Sequence, residues 1–391
     1  MNRAFESRAN RLRRMYTTGP GAQVLRQVEP ISATEARVFL DGDVRTNVNF
    51  GSNNYLGFAN DPYIAEKACN AIRTAGLSMC GSPLLNGANP QHRQLEERLA
   101  DFKGTEDAIL FPSGFAANLA WTQALVQKGD VVNYDEYAHT SFQQGIAHLP
   151  QQSVRKFEHN TLPPITSDAP LEGREFTFVE GVYSMHGDLP PLDKLSSSMR
   201  PSSTLVVDDA HGTCTLGQSG RGIFEHFGLT PEDAIIVGTL SKGFGAVGGY
   251  ICSDRDTVFC LRAMSNTSIF SASLPLPIVA GVLAALDLLE REPHRVEWLR
   301  SNIKHVVDGM QHLGVKPDHC TPIISIKLPK KKNVHSVVRN LHRLGHFVNG
   351  VSYPAVPRNE QRVRISLSAL HTRDQISSLI DALSLELSSD T

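Results

Sequence analysis

The chain has 391 residues, 41% hydrophobic and 20% charged, a length that predicts two packed domains or one large domain with an appendage. Its 38 basic and 40 acidic residues leave a formal charge of −2, so no global field favours nucleic acid or acidic membranes as partners. No apolar run approaches the roughly 18 residues of a membrane-spanning helix, and six scattered cysteines without a Cys-x-x-Cys pair argue against disulfides or structural zinc and for a cytoplasmic setting.

The first 20 residues carry five arginines, and Phe5, Ala9, Leu12 and Tyr16 recur at helical spacing. This reads as an amphipathic helix docked on the body; a mitochondrial presequence has similar composition and is the less favoured reading. A helix is predicted over Pro62–Ala75, with Asp61 as N-cap and proline at its first position. A second is predicted over Pro90–Lys103, closed by Gly104. Short apolar runs at 108–111, 131–134, 176–179, 205–207, 235–237 and 249–252 then alternate with polar or helical stretches, as buried parallel strands do. After Ser273-Leu-Pro-Leu-Pro277 the pattern becomes helix (about 278–291), helix (about 294–313), strand (323–328), helix (about 333–345) and strand (363–367). The expected organisation is residues 1–50 as an N-terminal helix and short strands, 51–275 as a large α/β domain and 276–391 as a smaller α+β domain.

Two segments concentrate chemistry. In Thr204-Leu-Val-Val-Asp-Asp-Ala-His-Gly212 an apolar strand ends in two acids and a histidine, at the strand end where open α/β sheets gather ligands. Such acids also serve as plain helix caps. In Gly238-Thr-Leu-Ser-Lys-Gly243 a lysine follows another strand, with Gly243, Gly245, Gly248 and Gly249 around it expected to permit close backbone approach to a ligand. A desolvated lysine can form a Schiff base with an aldehyde. Paired with an aspartate 34 residues upstream, it points to pyridoxal phosphate (PLP), with the lysine on the aldehyde carbon and the aspartate on the pyridine nitrogen.

With these segments stand Ser52-Asn-Asn-Tyr-Leu-Gly57, Phe111-Pro-Ser-Gly-Phe-Ala-Ala-Asn118, Glu180-Gly-Val-Tyr-Ser-Met-His-Gly-Asp188, Ile269-Phe-Ser-Ala-Ser-Leu-Pro275 and Arg362-Val-Arg-Ile-Ser-Leu367. In this order the motifs resemble the α-oxoamine synthase family of PLP enzymes, over about residues 45 to 385. The resemblance implies a fold-type I, aminotransferase-like α/β fold: a mostly parallel central sheet flanked by helices, with a smaller α+β C-terminal domain. It implies that Lys242 carries the cofactor and later moves the α-proton, that Asp208 pairs with the pyridine nitrogen, and that His211 meets the phenolic oxygen, with Ser184 nearby. His139 would stack on the ring. Gly114 and Phe115 would offer backbone amides, and Thr239 a hydroxyl, to the phosphate. Ser271 would reach the phosphate from the neighbouring subunit, which implies a homodimer with shared active sites. Arg364, with Asn53, would grip the amino-acid carboxylate; an exposed arginine with a surface partner is the structural alternative. The implied activity is decarboxylative Claisen-type condensation of a small amino acid with an acyl thioester, on CoA or a carrier protein, to an α-amino ketone.

The segment Cys80-Gly-Ser-Pro-Leu-Leu-Asn-Gly-Ala-Asn-Pro90 departs from the family pattern: it is about three residues shorter and lacks an arginine. Its apolar Pro83-Leu84-Leu85 favours a medium or long acyl chain, and Ala355 stands where several relatives have threonine. Lys330 to Lys332 read as a solvated loop, and His342 with His346 as a helix surface, so no metal is expected. The rival activities are a fold-type I aminotransferase or lyase, a glycine C-acetyltransferase, and a silent partner subunit; retention of Lys242, Asp208, His211 and His139 argues against the last.

Overall fold

A computed structural model describes residues 3–13, 26–40, 42–164, 173–200, 202–353 and 355–388. The chain divides into two units, Asn54–Leu299 and the pair Met1–Asn53 with Arg300–Thr391. Strands β1 (Gln27–Pro30), β2 (Glu35–Leu40) and β3 (Asp43–Asn49) lie in the smaller unit. The larger unit holds β4 (Asp107–Phe111), β5 (Val131–Asp135), β6 (Val154–Phe157), β7 (Glu175–Glu180), β8 (Ser203–Asp208), β9 (Ile235–Thr239) and β10 (Gly249–Ser253). The smaller unit adds β11 (Ile323–Lys327), β12 (His346–Phe347), β13 (Asn349–Val351) and β14 (Arg362–Ser366).

In the larger unit one sheet runs β4-β10-β9-β8-β7-β5-β6. Strands β6, β5, β7, β8 and β9 run parallel to one another, which bears out a mostly parallel sheet. β10 is the exception, antiparallel to both β9 and β4. Only residues 240–248 join β9 to β10, fewer than the dozen or so that a parallel crossover needs. β6 escaped the sequence reading because this edge strand contains Arg155 and Lys156 and makes no apolar run.

Both predicted helices form at their expected limits. Pro62–Ala75 is capped by the Asp61 side chain, which accepts from Tyr63 N at 3.0 Å. Pro90–Lys103 ends at Gly104 with φ 75°, where a side chain would be strained. Helix Gly114–Leu125 carries Trp121 into the core against Phe176, Phe178 and Phe142, the last two stacked at 3.9 Å. Burying each such ring contributes about 2 kcal/mol. Helix Leu276–Arg291 packs on Pro62–Ala75 and Pro90–Lys103, and so falls in the larger unit; the Ser273–Pro277 segment is a corner within that unit.

The smaller unit contains sheets β1-β2-β3-β12 and β11-β14-β13. The parallel β3–β12 pairing brings the N-terminal strands and the C-terminal segment into one unit, though they are distant in sequence. His371 fastens this join. It accepts from Ser368 N at 2.9 Å, meets Asn49 O at 3.2 Å, and stacks on Phe50 at 4.2 Å. The expected N-terminal helix spans Arg3–Arg13, but none of the side chains described within it, residues 6–13, is buried. Tyr16 and Thr18–Gly21 lie outside the described residues.

Candidate active site

Because β5, β7, β8 and β9 are parallel, their carboxyl ends share one edge of the sheet. Asp208 is the last residue of β8 and Thr239 the last of β9; His139 lies four residues beyond β5 and Ser184 four beyond β7. These four, with Gly114, Phe115, His211 and Lys242, line a single cavity of about 270 Å³. Eight of the nine residues expected to contact the cofactor are thereby brought together.

Asp208 is buried and doubly held. Its Oδ2 accepts from Asn118 Nδ2 at 2.7 Å, and its Oδ1 from Ala210 N at 3.1 Å. His211 lies between two polar groups, with Lys242 Nζ 2.8 Å from Nε2 and Tyr55 Oη 2.6 Å from Nδ1. A protonated Lys242 donates to Nε2, which puts the ring proton on Nδ1, facing the Tyr55 oxygen. His139 caps helix Thr140–Ile146, with Nδ1 2.7 Å from Ser141 Oγ. Burial lowers the pKa of His139 and the Lys242 charge lowers it further, against the pull of Asp208, so its ring is neutral at neutral pH.

Glu180 is the neighbour of Asp208 across the β7–β8 ladder. Burial holds its carboxyl well above the usual carboxylate range and the Asp208 charge adds to this, opposed by Lys242 and the backbone amides of Ser184 and His139. Burial beside the Asp208 charge thus favours its protonated form, and its Oε1 is buried without a hydrogen-bond partner.

At another wall, Ser113 caps helix Gly114–Leu125 by accepting from Ala116 N at 3.1 Å. The Gly114 and Phe115 amides fall in the first helical turn, where N–H groups have no intrahelical partner and the helix dipole favours an anion. A Cβ on Gly114 would stand 3.0 Å from Thr239 Cβ, so glycine permits this approach. Thr239 Oγ1 lies 2.8 Å from Ser241 Oγ.

PLP requires an anion cradle, a carboxylate for its pyridine nitrogen and an amine for its aldehyde. The helix start, Asp208 and Lys242 supply those three chemistries within one cavity, so the residues present fit the group.

Three of the sequence readings concern residues outside this cavity. Ser271 does not line this cavity; it lines a separate one of about 240 Å³ with Phe111 and Pro112. Gly243, Gly245, Gly248 and Gly249 line neither. They admit the chain's own atoms instead: a Cβ on Gly249 would lie 2.3 Å from Ser113 O, and one on Gly245 2.3 Å from Ala59 N. Arg364 is buried, not surface-exposed. In the smaller unit its Nη1 donates to Ser366 Oγ at 3.1 Å and its Nη2 to Asn53 Oδ1 at 3.3 Å, so the two residues expected to hold the substrate carboxylate do meet.

Asn118, Glu180, Tyr55 and Ser141 were quoted in motifs or passed over without a role. Asn118 carried the clearest signal, a polar side chain one helical turn after Gly114 on a mostly apolar helix.

Residues 45–383 match the family described as aminotransferase class I and II. The chain is 35% identical to 8-amino-7-oxononanoate synthase of Methylococcus capsulatus, over 90% of this chain and 92% of that protein. It is 34% identical to serine palmitoyltransferase of Sphingobacterium spiritivorum, over 90% and 89%. It is also 35% identical to 4-hydroxy-2,2'-bipyrrole-5-methanol synthase PigH of a Serratia strain, over 86% of this chain but only 52% of that protein, so it spans about half of that relative's length. Among solved structures, Sphingomonas wittichii serine palmitoyltransferase aligns with a TM-score of 0.88 at 28% identity, covering 98% of this chain and 97% of that one. A structure of SPT with PLP aligns at 0.84 and 29%, covering 92% of each. This chain belongs to the aminotransferase class I and II family and, within it, to the PLP-dependent α-oxoamine synthases, acyltransferases that condense an amino acid with an acyl thioester.

Proposed function

We propose that this chain joins a small amino acid (glycine, alanine or serine) to a medium or long acyl thioester, releasing CO₂ and free thiol and leaving an α-amino ketone. The observation that carries the reading is Lys242 Nζ at 2.8 Å from His211 Nε2, in the cavity where Asn118 holds Asp208.

PLP, when bound, supplies an electron sink for negative charge at the substrate α-carbon. Lys242 would hold the cofactor through Nζ and, when Nζ is free, would serve as the base for the α-proton. Asp208, fixed by Asn118 and the Ala210 amide, keeps its charge aimed at the pyridine nitrogen. With Lys242 Nζ engaged by the cofactor, Tyr55 Oη would donate to His211 Nδ1 and leave the ring proton on Nε2 to face the phenolic oxygen. His139 is neutral and offers a flat face for stacking. The amides of Gly114 and Phe115 and the Thr239 hydroxyl bind the phosphate. Arg364 and Asn53 orient the amino-acid carboxylate. In the overall balance, the α-proton and the carboxylate leave, the acyl carbon bonds to the α-carbon, the C–S bond breaks, and a proton returns to the α-carbon.

The working form is proposed as a homodimer with Ser271 reaching the partner's phosphate site. Support comes from the position of Ser271 outside its own chain's cavity and from Leu84, Leu85 and Phe270, which are 67%, 82% and 81% exposed. Among the described residues no helix is long and apolar enough to cross a membrane. A cytoplasmic setting is supported by six free thiols.

Thiol release, followed with glycine, alanine and serine against acyl-CoAs of increasing length, tests the function. One amino acid is expected to give turnover that rises with chain length beyond acetyl. Amino-group transfer to a keto acid without thiol release would sink the condensing reading.

A further inference from the structure

A second cluster of ionisable groups lies outside the cavity lining. His159, just past β6, bonds through Nδ1 to Asp135 Oδ1 and Oδ2 at 3.0 and 3.1 Å, and through Nε2 to Asp188 Oδ2 at 2.9 Å. The Asp135 side chain is 1% exposed and that of His159 15%.

Each aspartate organises a loop that ends in a cavity residue. Asp135 closes β5, and its Oδ1 accepts from Tyr137 N at 2.8 Å and its backbone oxygen from Ala138 N at 2.9 Å, immediately before His139. Asp188 closes the turn around Ser184, where its backbone oxygen accepts from Tyr183 N at 3.0 Å and Gly187 N meets Tyr183 O at 2.7 Å. Asn160 repeats the bridge, with its backbone N on Asp135 at 2.9 Å and its side chain on Asp188 at 3.1 Å.

We propose that His159 is a positioning residue for the condensing site: bonded to Asp135 on one side and Asp188 on the other, it locks the loop carrying His139 to the loop carrying Ser184. The inference rests on the proposed roles of those two residues.

The electrostatics agree with this geometry. Burial opposes charge on His159, but the two carboxylates outweigh it and raise its pKa to about 9. Both carboxylates are in turn held below their usual range, against burial, by the His159 bonds. The other titratable groups around the ring are Tyr137 at 4.3 Å, Tyr183 edge-on at 4.5 Å, His186 at 5.7 Å, and Glu136, which accepts from the His159 backbone N at 3.3 Å. An imidazolium bridging two carboxylates is at full strength below pH 6.5 and is lost as pH rises through about 9.

The test titrates full-length apoprotein with PLP from pH 7 to 10, read by the induced circular dichroism of bound cofactor. In the wild type the dissociation constant is expected to rise with a midpoint near pH 9. His159→Gln is expected to bind PLP about tenfold more weakly at pH 7.5 and to lose that midpoint, a change worth about one pKa unit of coupling. Asp188→Asn removes one of the two carboxylates and moves the midpoint down by about one unit. Wild-type affinity and midpoint in both variants overturn the proposal. If His159→Gln does not fold, Asp188→Asn decides: a lowered midpoint supports the clasp and an unchanged one overturns it. A wild-type chain that neither binds PLP nor releases thiol overturns the proposed function and this inference together. One that does both, with unaltered variants, overturns only this inference.

Discussion

The two units hold their polar residues in different ways. In the larger unit the ionisable groups of the cavity sit at the ends of adjacent parallel strands, and each is oriented by a near neighbour: Asp208 by Asn118, His211 by Tyr55, His139 by Ser141. In the smaller unit Arg364 meets Asn53, 311 residues away in sequence, and the segment bearing Asn53 is tied down by His371 and by Ser366 N bonding Phe50 O at 2.7 Å. A parallel sheet brings strand ends together by construction. The Arg364 cluster depends instead on a join between the first 53 and the last 92 residues of the chain, so it should be the more fragile of the two.

The largest effect that bears on this contrast is expected from Lys242→Ala. It should remove the borohydride-trappable adduct and lower turnover by at least the about 10²–10⁴-fold that a proton-transfer group supplies. A trapped adduct surviving in the variant would reassign the lysine.

Acid should then act on the smaller unit first. Burial holds His371 down at about pKa 4, against the opposing bond to Asn49. The folded state therefore binds fewer protons than the unfolded one, and the stability is complete above pH 6.5 and lost as pH falls toward 4, a total of roughly 3 kcal/mol. Far-ultraviolet circular dichroism should show an early melting step near pH 4.5. Trp121 fluorescence, read in a Trp298→Phe chain, should not show it, because Trp121 is buried in the core of the larger unit whereas Trp298 sits on helix His294–Met310, which continues into the smaller one. Coincident transitions would remove the contrast.

Arg364→Ala is expected to raise KM for the amino acid about 100-fold, the loss of a charge-assisted pair, and to leave PLP affinity unchanged. A matching loss of PLP affinity would show that the two clusters do not act separately. Asn118→Ala makes the smallest and most local change. By taking one donor from buried Asp208 it should weaken PLP binding about tenfold at constant KM, measured by cofactor titration.

Most of the candidate site in the larger unit was legible from motifs because polar side chains at strand ends come in short contiguous runs. Asp208, His211, Thr239 and Lys242 all follow apolar strands that period and composition mark out. Helices Pro62–Ala75 and Pro90–Lys103 were equally legible, since Asp61 with Pro62, and Gly104, are local stop and start signals. β10 was misjudged in direction because strand orientation depends on the length of the connection, which apolar runs do not report. The four glycines after Lys242 were misread because a missing Cβ shows only that something approaches closely, not whether it is a ligand or the backbone of Ser113 and Ala59.

By itself, then, the sequence determined the PLP chemistry and the local elements, because both are written in residues close together along the chain. Tertiary structure alone decided that the first 53 residues join the last 92 in one unit. It alone put the unpartnered oxygen of Glu180 beside Asp208, and it alone made His159 a bridge between two loops. Those three facts arise from strand register and burial, which raise or lower the energy of a charge according to neighbours that lie far away in sequence.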